Sequence, residues 1–386
     1  MISLSNRLQK TEEYYFSKKL REVAQLKKAG KPIINLGIGS PDLAPPQEVV
    51  DELVKATTQQ GAYQYQAYKG LDELRQAMCR FYENHYAVQI DKENEVLPLM
   101  GSKEGISLIS MAFLNEGDQV LVPNPGYPTY QAATKLLNAE LISYDLTVGN
   151  AWHPDLEALQ KLDLAKVKLM WINYPNMPTG QAADRVKLQE LIHFAKANDI
   201  LLVNDNPYSM VLTDDKFSIF QLEGAKEVCM ELNSLSKSYN LAGFRVGFLV
   251  GHSEFISAVL KVKSNMDSGM FFPIQKAATK ALGLKNDWFE AQNTVYKNRR
   301  AILWEMCDTL NLSFDKSAVG LFVWAKVNSS QSAKELADEL LYERNVFVTP
   351  GDVFGSNGSN YLRFSLCVSE EELSICKERI SKSEAI

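Results

Sequence analysis

The sequence predicts an α/β protein with a mostly parallel sheet covered by helices, followed by a smaller α+β domain. The chain has 386 residues, which is longer than a single hydrophobic core usually grows. From about residue 95 to 250, short β-rich runs alternate with segments of helical length, as in parallel sheets with helical crossovers. After this region the pattern changes to a long helix followed by two strand-like runs, which indicates a second domain.

Six short runs rich in apolar and β-branched residues are the strand candidates of the large domain. In chain order they are EVLPLM (95–100), DQVLVP (118–123), AELISY (139–144), VKLMWIN (167–173), DILLVND (199–205) and EVCMELN (227–233). Between two of them, DRVKLQELIHFAKAN (184–198) has the periodicity of an amphipathic helix. Its predicted apolar stripe consists of Val186, Leu188, Leu191, Ile192 and Ala195.

The pattern of the C-terminal third of the sequence indicates a small α+β domain. A helix over 287–310 precedes strands over 320–327 and 361–368 and a last helix over 369–380. We divide the chain into an N-terminal segment (1–40) that packs on the small domain or a partner subunit, a large ligand-binding domain (41–285) and the small domain (286–386).

Composition and charge exclude several classes of protein. Hydrophobic residues make up 46% of the chain and charged residues 23%, which is typical of folded globular proteins. The net charge is -6, and the basic stripe that nucleic-acid binding requires is missing. No apolar run approaches the roughly 20 residues that cross a bilayer, and the N-terminus lacks the apolar core of a signal peptide. We therefore expect small-molecule partners in the cytoplasm, without nucleic acid or membrane.

The cysteines and histidines indicate neither a metal site nor a cysteine nucleophile. No C-x-x-C pair is found, and the four histidines are dispersed along the chain. We expect the cysteines to be small buried apolar residues; they are Cys79, Cys229, Cys307, Cys367 and Cys376.

Residues with distinctive chemistry follow several strand candidates. Ligands of open parallel sheets bind beyond the carboxyl ends of the strands, so these residues are expected to share one site. Lys237 lies in the turn SLSKSYN (234–240), directly after the last strand candidate. A lysine amine that is desolvated, or close to another cation, loses its proton more readily and can condense with an aldehyde.

The surroundings of Lys237 suit a phosphate dianion, because hydroxyl groups, cations and helix N-terminal amides all bind phosphate. The candidates are Ser234, Ser236 and Arg245 near the lysine, and Ser102 and Lys103 in GSKEG (101–105) at the start of an apolar helix.

Three further positions indicate a flat heteroaromatic ligand. Asp205 closes a strand of the buried type, where its carboxylate needs a cation or a donor such as a protonated pyridine nitrogen. Tyr208 could donate to a phenolate oxygen, and Tyr127 could stack on the ring. A phosphate, an aldehyde-reactive amine, a pyridinium partner and a stacking ring together indicate pyridoxal phosphate.

At this point the sequence resembles a known family, the class I/II, fold type I, pyridoxal-phosphate-dependent aminotransferases. The resemblance covers nearly the whole chain and depends on the order and spacing of nine pieces. They are NLGIGSPD (35–42), YQAYKG with LR (65–75), GSKEG, NPGYPTY (124–130), YPNMPTG (174–180), DNPY (205–208), SLSKSYNLAGFRVG (234–247), PGDVFG (350–355) and YLRFS (361–365).

The resemblance implies roles for individual residues. Lys237 matches the lysine that forms the internal aldimine and moves a proton between the substrate α-carbon and C4′ of the cofactor. Arg363 matches the arginine that grips the substrate α-carboxylate as a bidentate fork, and Gly39 lets the backbone approach that carboxylate. Tyr65 matches a residue that reaches the cofactor phosphate of the neighbouring subunit, so the resemblance implies a homodimer with shared active sites.

The chain departs from the family pattern at one position. Where the family usually reads N-P-T-G, this chain reads M-P-T-G (177–180), so the amide that donates to O3′ of the cofactor is absent at Met177. This departure concerns the tuning of the cofactor rather than the class of reaction. Tyr14 matches a substrate-facing position only in some subgroups, and we expect a core or interface position for it. The stretch 263–272 is expected to line the substrate region.

We interpret the chain as an aminotransferase that moves an amino group between an amino acid and a 2-oxo acid. An alternative within the same cofactor class is a carbon–sulfur lyase, because the same lysine can serve either reaction. An amino-acid sensor without catalysis is an alternative of another class, although the short N-terminal segment leaves no room for a DNA-binding domain. A nicotinamide dehydrogenase is disfavoured because the dinucleotide fingerprint is missing.

Overall fold

The computed structural model describes residues 2–9 and 11–382. The helices are α1 (Asn6–Gln9), α2 (Tyr15–Lys28), α3 (Gln47–Thr57), α4 (Asp72–Tyr86), α5 (Ser102–Phe113), α6 (Pro128–Leu136), α7 (Leu156–Leu159), α8 (Arg185–Ala197), α9 (Ala225–Val228), α10 (Leu235–Ser238), α11 (Ser253–Lys263), α12 (Phe272–Leu282), α13 (Asn286–Thr309), α14 (Ala333–Tyr342) and α15 (Glu370–Ser381). The strands are β1 (Ile34–Asn35), β2 (Val96–Leu99), β3 (Gln119–Asn124), β4 (Glu140–Asp145), β5 (Val167–Ile172), β6 (Leu201–Asp205), β7 (Cys229–Ser234), β8 (Gly247–Gly251), β9 (Leu312–Phe314), β10 (Phe322–Val327), β11 (Val346–Phe347), β12 (Thr349–Pro350) and β13 (Tyr361–Ser365).

A seven-stranded sheet forms the centre of the large domain, in the order β2-β8-β7-β6-β5-β3-β4. Each of the six strand candidates overlaps one of its strands, so the predicted mostly parallel sheet is confirmed. The seventh strand, β8, pairs antiparallel with β2 and β7. It begins at Gly247, the last residue of the motif SLSKSYNLAGFRVG (234–247), and was not among the predicted strands.

Both faces of this sheet are covered. In β5, Leu169 and Trp171 pack in one hydrophobic cluster, whereas Met170 and Ile172 pack in another. Because successive side chains of a strand point to opposite faces, the two clusters lie on opposite sides of the sheet. This double cover explains why the strands read as continuous apolar runs.

Helix α8 confirms the predicted helix and corrects one residue of its stripe. Asp184 caps the helix by accepting hydrogen bonds from the amides of Val186 and Lys187 at 3.0 and 3.2 Å. The other four predicted stripe residues are buried, but the side chain of Val186 is 69% exposed. Val186 is two residues before Leu188, and residues two apart do not share a face of a helix.

The second, smaller sheet is antiparallel, in the order β12-β13-β10-β9. The predicted helices over 287–310 and 369–380 are α13 and α15, and both predicted strands are present. Strand β13, which carries Arg363, lies between β12 and β10, so this arginine is not on an edge strand. All five cysteines are free and buried, as expected.

The N-terminal segment lies against the C-terminal part of the chain. Strand β1 pairs in parallel with β11, and Val23 and Ile33 pack with Leu341 and Phe347. The expected packing of segment 1–40, as a unit of its own, on a small domain or a partner subunit stays a prediction. The division of the chain at 40/41 and 285/286 stays a prediction.

Candidate active site

A cavity of about 360 Å³ lies at the carboxyl ends of β5, β6 and β7. It brings together every predicted site residue except Tyr65, although these residues are far apart in the sequence. The predicted residues that line it are Gly39, Ser102, Lys103, Tyr127, Asp205, Tyr208, Ser234, Ser236, Lys237, Arg245 and Arg363.

Asp205, the last residue of β6, presents a buried carboxylate to this cavity. Its Oδ2 accepts a hydrogen bond from Tyr130 Oη at 2.9 Å, while its Oδ1 is buried without a partner. Burial raises the pKa of Asp205 to about 6, and the Tyr130 hydrogen bond partly opposes this rise. Burying a carboxylate oxygen without a partner costs free energy, so a hydrogen-bond donor or cation that enters the cavity and pairs with this atom is stabilised.

Lys237 lies in the single turn of α10, directly after β7. Its Nζ donates to the carbonyl oxygen of Gly39 at 2.5 Å. Desolvation lowers the pKa of the ammonium, and the guanidinium groups of Arg363 and Arg245 lower it further. The structure therefore favours a neutral amine at this position more than water does.

The predicted phosphate groups converge on the start of α5. Ser102 is the first residue of that helix, and the preceding Gly101 has φ +90. A Cβ atom on Gly101 would lie 2.3 Å from Nη2 of Arg245, so a glycine is needed for the arginine to approach the helix terminus. Arg245 itself has φ +55, which is uncommon for a residue other than glycine, asparagine or aspartate. This arrangement directs a guanidinium to a helix N-terminus, where anions bind.

Arg363 is almost fully buried in an aromatic surrounding. Its guanidinium carbon lies 4.0 Å from the ring centroid of Phe322, 4.6 Å from that of Phe354 and 5.4 Å from that of Phe16. Nη2 donates to the carbonyl oxygen of Gly37 at 2.7 Å, and Nε is buried without a partner. Desolvation lowers the pKa of Arg363 to about 10. A desolvated guanidinium with unused donor capacity is suited to a carboxylate.

Four tyrosines line the cavity: Tyr14, Tyr127, Tyr130 and Tyr208. Burial raises the pKa of Tyr208 and of Tyr127, so both hydroxyl groups stay protonated and can donate. Tyr14 lines the cavity beside them and shares a hydrogen bond with Tyr127. Tyr14 also packs against the core cluster, as expected, whereas an interface position for it stays a prediction. Nζ of Lys103 lies 4.2 Å from the Tyr14 ring centroid, a cation–π contact.

Met177 lines the cavity at the position where the family has asparagine. Its Sδ accepts a hydrogen bond from Nη1 of Arg363 at 3.3 Å. The neighbouring Asn176 does not replace the missing amide, because its Nδ2 donates to the carbonyl of Asn173 and its Oδ1 accepts from the Thr179 hydroxyl at 2.7 Å.

Sequence reasoning missed several residues of the site. Tyr130 was visible in NPGYPTY, three residues after Tyr127 on the same helix face, and this spacing could have identified it. Phe16 and Leu20 of α2 also line the cavity, and no local pattern distinguishes them from ordinary apolar helix residues.

Tyr65 lies outside this cavity. Its side chain is 90% exposed, and it lines a second cleft between 63–66 and 268–271. The stretch 263–272, expected near the substrate, therefore lies beside Tyr65 rather than at the cavity of its own chain. Within 2–9 and 11–382, we find no cluster of potential metal ligands and no helix long and apolar enough to cross a membrane.

Fold and cavity together define the class of protein: a fold type I enzyme with a large, mostly parallel domain and a smaller antiparallel one. The chain belongs to the class I and II aminotransferase family, which matches residues 31–380. It is an aminotransferase, and the family depends on pyridoxal phosphate.

Individual relatives match over almost the full chain. LL-diaminopimelate aminotransferase of Dehalococcoides mccartyi is 37% identical over 374 residues, which is 96% of each chain. The enzyme of the same name from Maridesulfovibrio salexigens is 37% identical over 384 residues, 99% of each chain. The structure of substrate-bound BacF from Bacillus subtilis has a TM-score of 0.95 at 35% identity and covers 99% of this chain and 98% of that one.

Proposed function

We propose that pyridoxal phosphate binds in this cavity and that the enzyme transfers amino groups between an amino acid and a 2-oxo acid. The observation that carries the proposal is Oδ1 of Asp205, which is buried without a partner. A protonated ring nitrogen of the cofactor supplies the donor that this oxygen needs. Arg245, Ser102 and Ser236 would hold the phosphate, with Lys103, Ser234 and the amides of α5 around it.

When bound, pyridoxal phosphate supplies an aldehyde that condenses with amines and a ring that withdraws electrons. Tyr127 would stack on this ring, and Tyr208 would donate a hydrogen bond to its phenolic oxygen. Lys237 would carry the cofactor covalently and move the proton at the substrate α-carbon, a role that its lowered pKa supports. Arg363, with the backbone of Gly39 beside it, would bind the α-carboxylate.

We further propose a homodimer in which Tyr65 reaches the cofactor phosphate of the partner subunit. The support is its position: a tyrosine that is 90% exposed and outside its own cavity is available to another subunit. The free, buried cysteines suit the cytoplasm expected from the sequence. The names of the relatives make LL-diaminopimelate one amino donor to test.

Borohydride reduction followed by peptide mass spectrometry tests this proposal. We expect the cofactor mass on the peptide that contains Lys237. Lys237→Ala should retain measurable cofactor affinity through the phosphate-binding residues and lose more than about 10³-fold in turnover. Wild-type turnover in that variant, or labelling of another lysine, contradicts the assignment. Pyruvate release from a sulfur amino acid without added oxo acid would favour the carbon–sulfur lyase instead.

A further inference from the structure

We propose that the amino acid accepted here carries an uncharged, apolar side chain, aromatic or branched, rather than a second carboxylate. This inference rests on the proposed function and adds the chemical class of the substrate. Two features support the inference. Apolar side chains surround Arg363, the residue proposed to bind the α-carboxylate, and each cation that lines the cavity already has a partner or an assigned group.

The apolar wall is built from three parts of the chain. Phe16 and Leu20 come from α2, Ile38 comes from the loop after β1, and Phe322 and Phe354 come from the C-terminal part. Leu20 is 39% exposed, so it marks the open side of the cavity, whereas the phenylalanines are buried. Apolar side chains in contact with this wall gain about 25 cal/mol per Å² buried, but a carboxylate there loses its hydration without a partner.

Each cation that lines the cavity already has a partner or an assigned group. Arg363 donates to Gly37 and would bind the α-carboxylate. Arg245 donates to the carbonyl oxygen of Ala242 at 3.0 Å and would bind the phosphate. Lys237 bonds to the Gly39 carbonyl and would carry the cofactor. A second carboxylate therefore has only Lys103 left.

Lys103 is poorly placed to bind a second carboxylate of the substrate. Its ammonium rests on the ring of Tyr14, and burial followed by the charge of Arg245 lowers its pKa. Because Arg245 and Lys103 share the start of α5, Lys103 adds to the same anion site rather than forming a new one.

The segments beside Tyr65, which a partner subunit would contribute, also lack a free cation. The stretches 63–66 and 268–271 that line the second cleft contain no charged residue. The nearby Lys263 is fully buried, and its Nζ forms an ion pair with Oδ2 of Asp267, whose side chain is 8% exposed. The charge of Lys263 is therefore neutralised within its own chain.

Single-turnover kinetics of the cofactor-loaded enzyme test the inference. Each donor is mixed alone with the enzyme, and the change of the visible band gives the rate constant divided by the dissociation constant. We expect phenylalanine and leucine to exceed aspartate, glutamate and LL-diaminopimelate by at least about tenfold, which corresponds to about 1.4 kcal/mol. An acidic donor that equals or exceeds phenylalanine overturns the inference while leaving the aminotransferase function intact. If no donor reacts, the proposed function itself fails.

Binding of unreactive acids provides a readout without turnover. We expect 3-phenylpropanoate to bind at least about tenfold more tightly than glutarate in isothermal titration calorimetry. The phenyl ring can contact the apolar wall, whereas the second carboxylate of glutarate would lose its hydration there. Tighter binding of glutarate contradicts the inference even if every donor is transaminated.

Leu20→Arg introduces the missing cation, and Leu20→Gln is its matched control. Both residues are good helix formers, and the position is partly exposed, so both variants should fold. We expect the ratio of glutamate to phenylalanine activity to rise about tenfold in Leu20→Arg only. An unchanged ratio in Leu20→Arg contradicts the assignment of α2 to the side-chain wall.

Discussion

Tyr130 Oη donates a hydrogen bond of 2.9 Å to Oδ2 of Asp205, and Oδ1 of the same carboxylate, at the cavity lining, is buried without a partner. The Tyr130 ring is itself fixed by stacking on Trp171, with ring centroids 5.0 Å apart and planes at 5°. A buried neutral donor thus holds one oxygen and orients the other. Tyr130 is a positioning residue for the cofactor site, since it acts through Asp205.

Tyr130→Phe removes this donor, so we expect the pKa of Asp205 to rise above about 6. The carboxylate is then less ionised at pH 7, and the cofactor should bind about tenfold or more weakly, because hydrogen bonds to charged groups contribute about 1.5–3 kcal/mol. Tyr144→Phe is the control, since Tyr144 Oη donates to the carbonyl of Trp171 at 2.6 Å, away from Asp205.

The measurement is the pH dependence of cofactor affinity in the two variants and the wild type. The cofactor's own titration is common to all three proteins and cancels in the comparison. The midpoint, the pH at which cofactor affinity is half its maximum, should be higher in Tyr130→Phe than in the wild type. It should be unchanged in Tyr144→Phe. A midpoint that moves equally in both variants shows that Tyr130 has only a structural role.

Asp205→Asn should stabilise the protein without cofactor and weaken cofactor binding. The folded-state pKa of Asp205 is raised from 3.8 to about 6, so its contribution to stability is fully present below about pH 4 and is lost as the pH rises through 6. At pH 8 the ionised carboxylate costs about 1–3 kcal/mol, which the amide avoids.

Urea unfolding at equal protein concentration, at pH 4.5 and pH 8, measures this effect. We expect the advantage of Asp205→Asn at pH 8 to shrink strongly toward pH 4.5 and to reverse at pH 8 once saturating cofactor is added. If Asp205→Asn has the same advantage in free energy of unfolding over the wild type at both pH values, ionisation of Asp205 is not the cause of that advantage.

Gly101→Ala should affect cofactor binding more than folding. The new Cβ would lie 2.3 Å from Nη2 of Arg245, whose flexible end moves away from the start of α5. Gly30→Ala is a matched control, because Gly30 has φ +87 and an added Cβ there meets nothing within 4 Å. Both glycines have positive φ, so an alanine is strained at either position and both variants should lower the free energy of unfolding, by about 1–3 kcal/mol.

Fluorescence titration with pyridoxal phosphate separates the two variants. Only Gly101→Ala should bind more weakly, by about tenfold or more, because a charge-assisted phosphate contact is lost. Equal affinities in the two variants would remove Arg245 from the phosphate site.

Met177→Asn should shift the pH titration of the cofactor's visible band to lower pH, by on the order of one unit. The new amide can donate to the phenolic oxygen of the cofactor and favour its anionic form, which the Met177 thioether cannot do. Met177→Leu should leave the titration unchanged. So should Asn176→Ala, since the Asn176 side chain is already bonded to Asn173 and Thr179; a shift in that variant would contradict this account.

The positions at strand ends were predictable from the sequence, because a chain of alternating strands and helices has only one edge at which such residues meet. Asp205 is the last residue of β6 and Lys237 lies in the turn after β7, so local pattern and topology suffice for both. The antiparallel strand β8 was hidden, since its short apolar run follows a functional motif and only the single helical turn α10 and a 3-10 turn separate it from β7.

Contacts between distant segments were not predictable. The sulfur of Met177 and the guanidinium of Arg363 are separated by 186 residues, and no periodicity reports such a pairing. Phe16 and Leu20 face the cavity because β1 pairs with β11 and so places α2 beside the site. Only the assembled fold determines which of the many apolar helix residues has this position.

The hydrogen bond from Arg363 to the Gly37 carbonyl closes a loop of 326 residues, and it sets an order of events during protein synthesis. Ribosomes add about 5–20 residues per second, so Arg363 leaves the ribosome on the order of ten seconds after Arg245. A nascent chain therefore holds the amine and the phosphate-binding groups before it has any anchor for a substrate carboxylate. The anchor for the α-carboxylate is therefore the last of the proposed site residues that a newly made chain acquires.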